Sequence, residues 1–103
     1  MPSGFKIIWS AEAENNLSSI IQHLEANWTA RELKRFFSKL DHALKLISKN
    51  PKLFERTHRR RDVRRCVLSK QISIYYKIGR DNVYILSLFD NRQDLRKLPL
   101  VII

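Results

Sequence analysis

Cysteine occurs once in this chain of 103 residues, at Cys66, so no disulfide can close within it. A lone thiol of this kind packs as a small apolar residue in a reducing compartment, which points to a cytoplasmic protein. Glycine is almost as scarce, at two residues, and that excludes a glycine-rich loop cradling phosphates. No apolar run approaches the length of a membrane span, and the N-terminus lacks the basic-then-apolar pattern of a secretory signal. Histidine and cysteine nowhere fall at ligand spacing, so neither a metal nor another cofactor is expected. Acid is the last shortage: ten Asp and Glu stand against twenty Lys and Arg.

The resulting net charge of +10 is unevenly spread. Residues 1–50 hold seven basic against five acidic side chains, whereas residues 51–103 hold thirteen against five. The density peaks between Arg56 and Arg65, where Arg59, Arg60, Arg61 and Arg64 join them with His58 and one acid, Asp62. Like charges so close repel one another, so the segment calls for an anionic partner, either phosphate-rich or an acidic protein. His58 reads as an exposed loop residue, and Leu53 and Phe54 are expected to anchor the start of the loop against the core. A hydrophobic fraction of 44% over this length fits one domain, residues 1–103, with one core.

Three apolar runs follow the basic loop: Val63 to Leu68, Ile72 to Ile78 and Val83 to Phe89. Their β-branched and aromatic content and short polar connections predict consecutive antiparallel strands. Ser69-Lys70 leaves room for a tight turn, and Gly79 to Asn82 supplies residues that tolerate positive φ. Alternation places Ile72, Ile74, Tyr76 and Ile78 on a core face, and Ser73, Tyr75 and Lys77 on a polar face where a site would lie. On the strand before, Arg65 shares a face with Val63 and Val67, and Arg64 with Cys66 and Leu68. Alternation alone leaves open which arginine points to the site.

Upstream, Phe5 to Trp9 is a short strand, and Ser10 is an N-cap followed by Glu12 and Glu14, where a helix dipole favours acid. Ala13, Leu17, Ile20, Ile21, Leu24 and Trp28 form one helical stripe. Thr29 and Glu32 make a capping box for a second helix with the stripe Leu33, Phe36, Phe37, Leu40, Ala43, Leu44 and Ile47. Pro51 ends that helix. The expected fold class is α+β: a helical hairpin, Ala11 to Asn50, packed on one face of a four-stranded antiparallel sheet.

This order of strand, two helices and three-stranded meander resembles the RelE/ParE superfamily of bacterial type II toxins. Carrying the resemblance are Pro51 before a basic loop, Val63-Arg-Arg opening the second strand, Ile74-Tyr-Tyr-Lys-Ile78, and Leu88-Phe-Asp-Asn-Arg-Gln-Asp-Leu-Arg-Lys-Leu98. The resemblance implies a growth inhibitor of the plasmid-stabilisation kind, held inactive by a cognate acidic antitoxin. Its ParE-like branch inhibits DNA gyrase without catalysis, and its RelE-like branch cuts messenger RNA on the ribosome without a metal. For the nuclease branch Arg64 or Arg65 and Arg92 match the basic positions and would be catalytic. The branch's third-strand arginine falls near Ser73, and its C-terminal tyrosine near Leu98, which favours the ParE-like reading. Arg59, Arg60, Arg61, Lys70, Tyr75 and Lys77 are then candidates for binding the target or a nucleic acid. Arg92 could instead pair with Asp90 or Asp94. The third possibility is a small basic nucleic-acid-binding module. Against it, the sequence lacks a recognition helix and the aromatic signature of an RNA-recognition sheet.

Overall fold

The computed structural model describes residues 4–27, 29–58 and 60–90. Strand β1 (Lys6–Trp9) leads into helices α1 (Ala11–Asn27) and α2 (Ala30–Lys49). A 3₁₀ turn (Pro51–Leu53) and the basic loop precede β2 (Val63–Val67), β3 (Ile72–Ile78) and β4 (Asn82–Asp90). The architecture is the expected α+β one, with both helices on one face of a four-stranded sheet. No helix among the described residues is long and apolar enough to cross a membrane.

Local chemistry sets the helix limits. The Ser10 hydroxyl accepts the Ala13 N–H at 3.0 Å, and Thr29 Oγ1 accepts the Glu32 N–H at 3.3 Å, so each helix opens on a side-chain cap. Pro51 follows the C-cap Asn50 and stops α2. The seam of α2 that meets the sheet is Phe36, Leu40, Ala43 and Ile47, all buried. Phe37 does not belong to it: the ring is 42% exposed and rests against Phe36. Each residue turns a helix by about 100°, which sets Phe37 roughly 90° away from that seam.

The sheet order is β1-β4-β3-β2, and here the all-antiparallel expectation is corrected: β1 pairs with β4 in parallel, Ile7 opposite Val83 and Trp9 opposite Ile85. Alternation encodes faces, not strand direction. Direction follows from the hairpin, which brings the end of α2 back to the start of β1. There the Phe5 N–H bonds Ser48 O at 2.8 Å and Ser48 Oγ bonds Phe5 O at 2.6 Å. Because β2 sets out from the same end as β1, two reversals leave β4 parallel to β1.

Strand β4 runs on past its short neighbour, and α1 satisfies the edge that results. Ser10 N–H and Oγ donate to the carbonyls of Ile85 and Leu86, both at 3.0 Å. Asn16 Oδ1 accepts the Leu88 N–H at 3.2 Å and the Ser87 hydroxyl at 2.8 Å. A bulge sits here too, since Tyr75 pairs with Ser87 but Tyr76 with Ile85, leaving Leu86 as the extra residue. The bulge resets the alternation, so that Leu88 follows Val83 and Ile85 into the main core and Phe89 turns to the opposite face. The β3–β4 turn does not use the positive φ that its residues tolerate. An added Cβ at Gly79 would lie 2.7 Å from the Tyr84 ring and 3.2 Å from Asn82 O, so a larger residue there would push the exposed Tyr84 side chain aside.

Candidate functional site

The basic loop is built as a second layer of edge structure on β2. Arg56 bridges Arg64, the Thr57 N–H bonds Val63 O at 2.7 Å, and the Arg65 N–H bonds Glu55 O at 2.9 Å. The outer edge of β2 is thereby paired at this end. Thr57 staples the turn that follows: its Oγ1 accepts the Arg60 N–H at 3.2 Å and donates to Arg60 O at 2.6 Å. The Val63 N–H adds a third bond, to Arg60 O at 3.0 Å. Phe54 is half-buried with its ring edge-on to Tyr76, as an anchor should be, but Leu53 is 52% exposed and anchors nothing. His58 is exposed.

Register separates the two β2 arginines. Arg64 stands opposite Tyr76, on the helix-covered side, and its Nη1 donates to Phe54 O at 2.7 Å and Lys52 O at 3.4 Å. It closes the loop over the core. Arg65 stands opposite Tyr75 on the other face, exposed, with Nε donating to Ser73 Oγ at 3.1 Å. Of the two, Arg65 is the one that faces the candidate site.

That face is less open than alternation suggests. Ser73 is fully buried and Tyr75 is 3% exposed, where a polar surface was expected. Val63, Tyr75 and Phe89 form a second small core with Leu86 against it, and the rings of Tyr75 and Phe89 meet edge-on at 6.5 Å. The bulge at Leu86 supplies Phe89 to this cluster, a signal that no alternation pattern carries. Burial pushes the Tyr75 phenol up, partly offset by Arg65.

What the face leaves accessible is cations beside two apolar side chains, Val67 opposite Ser73 and Tyr84 opposite Lys77, both exposed. Lys77 and Arg65 project from β3 and β2, and Arg60 reaches the same side through Asp62. The Asp62 carboxylate accepts from Arg60 Nε at 3.0 Å and Nη2 at 2.9 Å, and lies 3.8 Å from Lys77 Nζ. The Arg60 hydrogen bond, with help from both cations, lowers its pKa to about 2. Arg61 is exposed beside them. Lys70 stands apart, at the β2–β3 turn, where it lines a groove of about 320 Å³ with Arg35 and Lys39 over the buried Phe36. Arg59 and Arg92 lie outside the described residues, as do Trp28 and the segment from Asn91 onward.

The family model for the ParE toxin of the type II toxin–antitoxin system parDE matches residues 7–95. Among solved structures, the chromosomal ParDE toxin–antitoxin system of P. aeruginosa superposes with a TM-score of 0.70 at 15% identity, covering 84% of this chain and 95% of that one. A conserved hypothetical protein of Helicobacter pylori gives a TM-score of 0.57 at 13% identity, covering 86% and 97%. A copper-bound mutant toxin from the same organism gives 0.57 at 12%, covering 85% and 96%. No curated protein matches the chain.

Proposed function

The chain belongs to the ParE toxin family of type II toxin–antitoxin systems, and from that premise we propose that it arrests growth in the cytoplasm by binding DNA gyrase, without cutting RNA. The observation that supports this reading is the setting of the two β2 arginines. Metal-free RNA cleavage needs positive charge on the phosphate and a neighbouring group that moves protons. Arg64 is committed to backbone carbonyls, Arg65 donates to the Ser73 hydroxyl, and the Tyr75 opposite Arg65 is buried with its pKa raised. Among the described residues charge is supplied, while no group that moves protons stands against Arg65. In a gyrase supercoiling assay the purified protein should block supercoiling, while primer extension on RNA from expressing cells should show no new ends. Codon-positioned cuts with normal supercoiling would establish the ribosome-dependent endoribonuclease instead.

The same charge supports a cognate antitoxin of acidic character as the neutralising partner. Electrostatic attraction speeds encounter and is screened by salt, whereas apolar anchors govern release. The association rate measured by stopped flow should therefore fall with ionic strength while the dissociation rate barely moves. An association rate indifferent to salt would assign the charge to some other partner.

A further inference from the structure

Asp62 is held in a way that the fold does not require. Its carboxylate accepts both Arg60 bonds and faces Lys77 across the loop, all at the surface. Exposed pairs of this kind add little to stability. The backbone of Arg60 is, by contrast, fixed by three hydrogen bonds: its N–H donates to Thr57 Oγ1, and its carbonyl accepts from the Thr57 hydroxyl and the Val63 N–H. A rigid turn thus presents a guanidinium fork, and the anion in the fork belongs to the same chain. Two oxygens of a phosphate fit such a fork as two oxygens of a carboxylate do.

We propose that Arg60 and Lys77 form a phosphate-binding subsite for a nucleic-acid backbone, and that Asp62 occupies it as an internal competitor until a phosphate displaces it. A carboxylate arriving from another protein gains only what Asp62 already supplies. A nucleic-acid strand brings further phosphates at regular spacing to Arg61 and Arg65 nearby, and its condensed counterions are released as it binds. Binding of the chain by itself to nucleic acid is at issue here, whatever enzyme the toxin stops, so the subsite stands or falls separately from gyrase inhibition.

The test is fluorescence anisotropy of a short labelled DNA duplex with the full chain across a salt series. Asp62→Asn should tighten binding several-fold and steepen the dependence of log affinity on log salt by about 0.9 for each phosphate gained. Asp81→Asn, the same charge change at the exposed β3–β4 turn, should do far less. Adding Arg60→Gln should cancel the gain. Equal effects of Asp62→Asn and Asp81→Asn would reduce the finding to net charge and overturn the subsite. So would an equal gain for polyglutamate, which would make it a carboxylate site. Should Asp62→Asn misfold, the pair Arg60→Gln/Lys77→Gln is compared with Arg31→Gln/Lys34→Gln on the exposed side of α2. Only the first pair should flatten the salt dependence, and an unchanged slope overturns the proposal.

Discussion

Tyr75 and Tyr76 are neighbours in β3 and both are buried, but by different means. Tyr76 lies under the helical layer, edge-on to Phe54, with its hydroxyl donating to Pro51 O at 2.6 Å. Tyr75 lies on the face away from the helices, packed against Phe89 and Val63. One face of the sheet is thus sealed by a second layer. The other is half closed by its own side chains, leaving cations around a small apolar patch. A sheet face without a helix over it need not be a polar face. What this face leaves accessible is Arg65, Lys77 and Arg60, with Val67 and Tyr84, beside the buried rings.

The largest effect should come from Tyr76. Tyr76→Ala removes a fully buried aromatic and should cost about 3–5 kcal/mol in urea unfolding. Tyr76→Phe keeps the ring but leaves Pro51 O without its donor, for about 1–3 kcal/mol. The hydroxyl also marks the sealed face at high pH. Burial pushes the Tyr76 phenol up to about 12 from an ordinary 10.0. Between those values the unfolded chain releases the proton and the folded chain keeps it, so stability falls as pH rises through that window and is complete below it. Cys66, raised by burial to about 11 from 9.0, acts in the same direction. Urea midpoints at pH 8 and pH 11 should therefore diverge less in Tyr76→Phe than in the parent. Equal divergence would remove Tyr76 from the alkaline transition.

Tyr75→Ala should cost less than Tyr76→Ala, roughly 2 kcal/mol, because a cluster this small at the surface can close up around the loss. A cost equal to that of Tyr76→Ala would mean that the second face is a full core, and the comparison would fail.

Much of this architecture is written in local chemistry. Ser10 and Thr29 open the helices through bonds three residues on, Pro51 stops α2 for want of an N–H, and the Ile72, Ile74, Tyr76 face follows from simple alternation. The illegible parts depend on partners distant in the chain. Parallel pairing of β1 follows from where the hairpin ends, and the role of Asn16 as acceptor for Leu88 spans most of the sequence. Burial of Ser73 and Tyr75 depends on a bulge in the neighbouring strand, which pattern reading of β3 cannot see. For the candidate site, the residue types were legible and their sides were not. Arg64 and Arg65 are chemically identical neighbours, and only register tells them apart.

That register gives the third test. Arg64→Ala should lose about 1 kcal/mol of stability, since its guanidinium bonds loop carbonyls. Arg65→Ala, an exposed change, should stay within about 0.5 kcal/mol yet relieve growth inhibition if the cationic face meets the target. The two variants would be compared by urea midpoint and by colony formation after induction. Full toxicity in a folded Arg65→Ala protein would take this face out of the mechanism, and a stability loss larger than that of Arg64→Ala would reverse the assignment of the faces.

The smallest effect belongs to Phe37, where hydropathy alone suggests one of the largest. The stripe of α2 is wider than the surface it meets. Phe36, Leu40, Ala43 and Ile47 occupy the seam, Leu33 and Leu44 lie half-buried on its flank, and Phe37 turns furthest out with its ring 42% exposed. Truncation there opens onto solvent and leaves no closed cavity, and the contact with the Phe36 ring is lost. Phe37→Ala should therefore shift unfolding by about 0.5 kcal/mol, in the range of surface substitutions. Phe36→Ala, one position along, should cost about 3–5 kcal/mol. Urea unfolding of the two variants side by side reads the width of the helix–sheet contact directly. A loss near 3 kcal/mol at Phe37 would put that ring back in the core and require α2 to be rolled toward it about its axis.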